Sequence, residues 1–135
     1  MPMGFGAVAK KVIATKVVAA DGSGDFTDIQ DAINALPAGG GVVYIKEGTY
    51  TITSSIIITI NNVSIIGSGA STIIDGSGFT ALDAIFDVGT QNNIIFDMLY
   101  FLGNVTYATG ILFTTVTDSI ISNCWFDTCY EGIQA

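Results

Sequence analysis

The sequence contains neither histidine nor arginine, and its only basic residues are Lys10, Lys11, Lys16 and Lys46. Without imidazole or guanidinium there is no Ser-His-Asp triad, no histidine metal site and no arginine clamp for a carboxylate or phosphate. No basic residue follows Lys46, and 12 acidic residues leave a net charge of −8. Nucleic acid and anionic membranes are therefore excluded as partners, because nothing neutralises their phosphates. Charge of either sign is scarce: 12% of the 135 residues are charged, against about 25% in ordinary globular domains. With half the residues hydrophobic, disorder is excluded as well. Lys10, Lys11 and Lys16 interrupt the apolar first twenty positions, so no uncharged run there reaches the ~18 residues that would span a bilayer. Cysteine occurs twice. Cys124 and Cys129 stand five positions apart in CWFDTC, a spacing that a turn can close into a disulfide, that suits two small buried side chains, and that no common zinc motif uses.

What is present points to an all-β chain folded as one domain, over residues 17–135, behind an amino-terminal arm over 1–16. Val17 to Ala20 read as a short strand that ends in the turn Asp21-Gly-Ser-Gly-Asp25. Thr27 and Gln30 form a capping-box pattern, and Ile29, Ala32, Ile33 and Leu36 repeat at helical spacing before Pro37 and three glycines, which predicts a helix over 28–36. From Gly41 onward the helical period vanishes. Short runs rich in Val, Ile, Phe and Tyr predict strands near 42–46, 49–52, 55–60, 63–66, 72–74, 84–88, 93–96, 98–102, 110–114, 119–122, 124–126 and 132–134.

These runs recur at long range. Asn93-Ile94-Ile95-Phe96 lies over Ser119-Ile120-Ile121-Ser122 at an offset of 26, with Ile85 over Ile111 at the same offset. Asn62-Val63 precedes Asn93-Ile94 by 31, and Gly110-Ile111 precedes Gly132-Ile133 by 22. Offsets of this size, with several strands in each, are the signature of solenoid coils with loops of unequal length. Asn61-Asn62 and Asn92-Asn93 fall at equivalent turns, where asparagine tolerates left-handed backbone and stacked amides bond one another. The expectation is a right-handed parallel β-helix of about four coils with a short amino-terminal capping helix.

Asp21-Gly-Ser-Gly-Asp-Phe-Thr27, Ile29-Gln30, Ala32-Ile33 and Gly48-Thr49-Tyr50 resemble the opening of the pectin-lyase-like right-handed β-helix superfamily. They look like the start of bacterial pectinesterases and of related lyases, glycosidases and phage tailspikes. The resemblance is specific over residues 17–75, and it implies that the helix caps the first coil and that Val42 to Ile45 begin the helix proper. It implies activity less directly, since one scaffold hosts many functions. Pectinesterases of this type pair two aspartates with a downstream arginine and glutamines, and this chain has no arginine. Asp97, Asp118 and Asp127 lie in separate runs and read as solvated turn residues. Asp21, Ser23 and Asp25 alternate like the first ligands of a calcium loop, yet Phe26 takes the place of the turn glycine and Ala32 that of the closing glutamate. No catalytic residue and no cofactor are expected, with calcium at Asp21, Ser23 and Asp25 as the weak exception.

Two further surfaces follow from the pattern. Ile57, Ile66, Ile95 and Ile121 fall on outward positions if their neighbours face inward, and with Ile133 on the last coil they form candidate assembly contacts. Tyr100, Trp125 and Tyr130 are candidates for stacking on sugar rings. The sequence therefore supports three functions. The leading one is a non-catalytic, extracellular or virion-associated module that forms a homo-oligomer or polymer through an uncapped coil end or the isoleucine ladder. The alternatives are the amino-terminal part of a carbohydrate-active enzyme and a polysaccharide-binding module.

Overall fold

The computed structural model describes residues 14–135. The expected arm therefore lies mostly outside the described residues, and Thr15 and Lys16 already belong to the first strand. Eleven strands and one helix follow in chain order: β1 (Thr15–Val18), α1 (Ile29–Asn34), β2 (Gly41–Ile45), β3 (Gly48–Thr51), β4 (Ile56–Ile57), β5 (Val63–Ile66), β6 (Thr72–Asp75), β7 (Asp83–Gly89), β8 (Ile94–Leu102), β9 (Ala108–Phe113), β10 (Ile120–Asp127) and β11 (Glu131–Gln134). Among the described residues every strand pairing is parallel. The strands stack in three columns, which make the faces of a parallel β-solenoid of about five turns. The first face holds β1, β2, β5 and the leading halves of β8 and β10. The second holds β3, β6 and the trailing halves of β8 and β10. The third holds β4, β7, β9 and β11. A fifth turn exists because β1 pairs above β2.

Alternation along each strand fills the interior. In β2, β5 and β8 every second side chain is buried, so Val43, Val63, Ile65, Ile94 and Phe96 point inward while Val42, Ser64 and Ile95 point out. Phe86, Phe96 and Phe101 meet edge to face with ring centroids 5.0–6.4 Å apart, and Phe126 stacks flat on Phe101 at 4.8 Å. Such contacts add about 0.5–1.5 kcal/mol each beyond the burial itself.

The three corners differ. Between the first and second faces a single left-handed residue turns the strand, Met98 (φ 59°) in β8 and Asn123 (φ 49°) in β10. Pairing continues on both sides of each, so the two runs predicted at 93–96 and 98–102 are one strand, as are those at 119–122 and 124–126. Between the third and first faces lies an asparagine corner. Asn62 and Asn93 both adopt left-handed backbone there, as does Asp118 one turn below. Asn93 Nδ2 donates to Asn62 Oδ1 at 2.9 Å. Asn61 Oδ1 accepts from the Asn92 amide, and Asn92 Oδ1 accepts from the Thr117 amide. The expected stack of amides is thus present, continued by Thr117. Between the second and third faces the turns are loops of unequal length, 52–55, 76–82, 103–107 and 128–130.

Two details of the sequence reading change. The cap of α1 is Asp28, whose side chain accepts from Asp31 N at 3.0 Å, instead of Thr27. A carboxylate beside the helix start is the stronger acceptor, and it suits the positive end of the helix. The repeat spacing of 26 is 25: Ile120 pairs with Ile95, and Ile111 pairs with Phe86. The offsets of 31 and 22 hold.

Candidate functional site

The one-residue change of register exchanges faces. Ile121 pairs with buried Phe96 and packs against the core, so it is not an outward contact; Ile120, 55% exposed, takes that place. The remaining assembly candidates do not form one ladder either. Ile57 is exposed on the third face above Asp87 and Leu112. Ile66 and Ile95 are half-buried on the first face in neighbouring rows, where Ile66 stacks on Asp97 and Ile95 on Ser64 and Ile120. Ile133 is paired with buried Ile111 and is half-exposed.

Of the sugar-stacking candidates, Tyr100 and Trp125 do come together. They are partners on the second face, in the outward row Thr49, Ile73, Tyr100, Trp125. Trp125 is 45% exposed. The Tyr100 hydroxyl donates to Asp127 Oδ2 at 2.5 Å, and this bond pushes the phenol above its ordinary pKa. Tyr130 lies in the next corner loop, with its amide on Ala108 O, and does not join them.

The acids are engaged one by one. Asp97 Oδ1 accepts from Ser122 Oγ (3.0 Å) and Asn123 Nδ2 (2.9 Å). Asp83 accepts from Ser55 Oγ and from the Ala84 amide. Asp21 Oδ1 turns onto the amide and hydroxyl of Ser23, bonds that hold its carboxyl below the usual range. Asp25 Oδ2 accepts from Val17 N instead, so the suggested calcium residues point to different partners. Among the described residues no three acidic or thiol groups gather as a metal centre would need. Cys124 and Cys129 are separate free thiols, half-buried against the core. Burial pushes both above the ordinary thiol pKa, which makes them poor nucleophiles.

Sequence reading missed two polar devices. Gln30, assigned to a capping box, instead reaches across to β4, accepting from Ile57 N at 2.7 Å and donating to Ile57 O at 3.0 Å. Asn104 ties the loop corner together by donating to Ser77 O and Phe79 O while accepting from the amides of Thr106 and Tyr107. No periodicity signals either, because the bonds to Ile57, Ser77 and Phe79 each span 25 or more residues.

Beside α1, at the top of the second face and the loop corner, lies an open groove of about 210 Å³ whose walls include Asp28, Gln30, Thr51, Ser54 and Ser55. A smaller hollow of about 180 Å³ adjoins it, sharing Asp28, Ile29, Thr51 and Ile52 and reaching Ala20 and Thr27. Hydroxyls and amides dominate, and among the described residues no cation lines either space. Such a lining offers hydrogen bonds to a polyol. It supplies no positive charge for an oxyanion or a uronate.

Comparison with known proteins places the chain. The Pectinesterase family model matches residues 15–108, well over half of the sequence. The chain belongs to the pectinesterase family. Probable pectinesterase/pectinesterase inhibitor 23 of Arabidopsis thaliana is 43% identical over 70 residues, covering 49% of this chain and 12% of that protein. Probable pectinesterase 56 of the same plant is 36% identical over 87 residues, covering 61% of this chain and 30% of that protein. The chain thus spans less than a third of the length of these curated relatives. Among solved structures, ORF18 of Geobacillus virus E2 superposes with a TM-score of 0.64 at 22% identity, over 80% of this chain and 25% of that one, a likeness of fold alone. No helix among the described residues is long and apolar enough to cross a membrane.

Proposed function

We propose that this chain is a polysaccharide-facing segment of a pectin-directed protein, comprising the capped first turns of the family's β-solenoid, and that it carries no esterase chemistry of its own. The family match over 15–108 is the observation that supports this reading most. It favours a carbohydrate-directed role over a self-assembling module, and an extracellular setting goes with a polysaccharide partner. The second half of the proposal rests on charge and geometry. Ester hydrolysis needs donors that stabilise a developing oxyanion and an acid or base free to exchange a proton. The chain has no arginine or histidine, and Asp83, Asp97 and Asp127 are each committed as acceptors to neighbouring hydroxyls or amides.

Electrophoresis through gels containing highly esterified pectin, run beside a methanol-release assay, tests both halves. Retarded migration without methanol above the blank is expected. Unretarded migration overturns the polysaccharide role, and methanol release overturns the absence of chemistry.

A further inference from the structure

The upper rim of the solenoid is closed twice by the same device. On the third face Gln30 pairs with both backbone groups of Ile57. On the first face Asp25 Oδ2 accepts from Val17 N, while the amides of Asp25 and Phe26 donate to Val17 O. A side chain or a turn thus stands in for a strand above. On the second face β3 ends the stack, and no such partner reaches it among the described residues. Gly48 and Ile52 donate downward to Ser71 O and Asp75 O. Backbone groups alternate sides along a strand, so Thr49 and Thr51 present theirs upward. Both residues are exposed, and both line the hollows beside α1.

We propose that this groove is a subsite for a neutral or methyl-esterified sugar ring, an inference that rests on the polysaccharide reading above. Paired N–H and C=O groups at Thr49 and Thr51, with the hydroxyls of Thr27, Thr53 and Ser54 around them, match the mixed donor and acceptor character of sugar hydroxyls. The groove of about 210 Å³ and the adjoining hollow of about 180 Å³ are each below the ~300 Å³ at which sites for larger small molecules begin, which suits a single ring. The charge of the wall selects between sugars: among the described residues Asp28 is the one carboxylate lining it and no lysine does, so a free uronate is repelled and its methyl ester is not. An added peptide strand suits the slot less well. Only two residues of free edge lie between the Gln30 clamp and the 20–27 turn, whereas strand addition draws its affinity from a longer run of main-chain bonds.

The test follows backbone amide shifts of the whole 135-residue chain during titration with a methyl-esterified galacturonan oligomer and with the same oligomer de-esterified. The amides of Thr49 and Thr51 should move with the ester, with the acid form at least about fivefold weaker at low salt. Asp28→Asn keeps a side chain that caps α1 well, and it should shrink the difference to about twofold. Three results would overturn the subsite: shifts confined to Trp125 and its neighbours, equal binding of both oligomers, or amides of Thr49 and Thr51 already protected from exchange in the free chain, which would mean that polypeptide occupies the edge. Retardation in pectin gels together with any of these leaves the polysaccharide reading standing, while loss of both retardation and shifts removes that reading too.

Discussion

The asparagine corner and the loop corner do opposite jobs in the same turns. At the first, side-chain amides stack from coil to coil and the backbone is left-handed at the same point each time. At the second, loops from 52–55 to 76–82 differ in length, and Asn104 alone gathers four bonds to hold two of them. One corner sets register and the other tolerates variation, and the polar groove opens beside the tolerant one. This division is what a solenoid needs if it is to vary its surface without losing the alignment of its core.

The sharpest way to break the contrast is to crowd each corner with one methyl group. A Cβ at Gly40, where φ is +95°, would lie 2.1 Å from Asn62 O, whereas one at Gly78 meets nothing within 4 Å. Gly40→Ala should cost about 3 kcal/mol or more in urea unfolding, and Gly78→Ala should stay within about 0.5 kcal/mol. Next in size, Asn93→Ala removes the bond to Asn62 and the residue's tolerance of positive φ; a loss of about 2 kcal/mol is expected, about half of it recovered by Asn93→Gly. A double-mutant cycle sharpens the comparison further. Asn62→Ala with Asn93→Ala should couple by about 1 kcal/mol, because the amides touch. Asn93→Ala with Asn104→Ala should be additive within about 0.5 kcal/mol, since they serve separate corners.

The smallest effect is electrostatic and lies on the second face. The bond to Asp127 raises the Tyr100 pKa, so the neutral phenol is the form that the fold favours. Its contribution is complete below the ordinary tyrosine pKa of about 10 and is lost as pH rises through the higher folded value. Asp127→Asn should bring the Tyr100 titration, followed by ultraviolet absorbance, back toward the ordinary value.

Much of this plan was legible in the sequence because it is written in short-range signals. β-branched runs mark the strands, Pro37 and the glycines stop the helix, and Asn61-Asn62 with Asn92-Asn93 mark the corner. Register was not legible to one residue. Aligning Asn93 with Ser119 matches turn residues of similar type, yet Ser119 Oγ accepts from Ile94 N, and the strands pair at 25. That single step moved Ile121 inward and Ile120 outward. Met98 also escaped, since nothing about methionine announces left-handed backbone; the pairing on either side imposes it. In the candidate site, Tyr100, Trp125 and Tyr130 were legible only as three separate aromatics, and it is the 25-residue register that pairs Tyr100 with Trp125. The groove at β3 was invisible, since it consists of backbone groups left over after Gln30 and Asp25 have satisfied theirs.

Hydrogen–deuterium exchange with and without a methyl-esterified galacturonan oligomer tests the division of labour most directly. Amides at 62–63, 92–94 and 117 should be protected in both conditions, while those at Thr49 and Thr51 should exchange quickly alone and slow when the oligomer is present. Rapid exchange at the asparagine corner, or an unchanged β3 with the oligomer bound, would contradict the account.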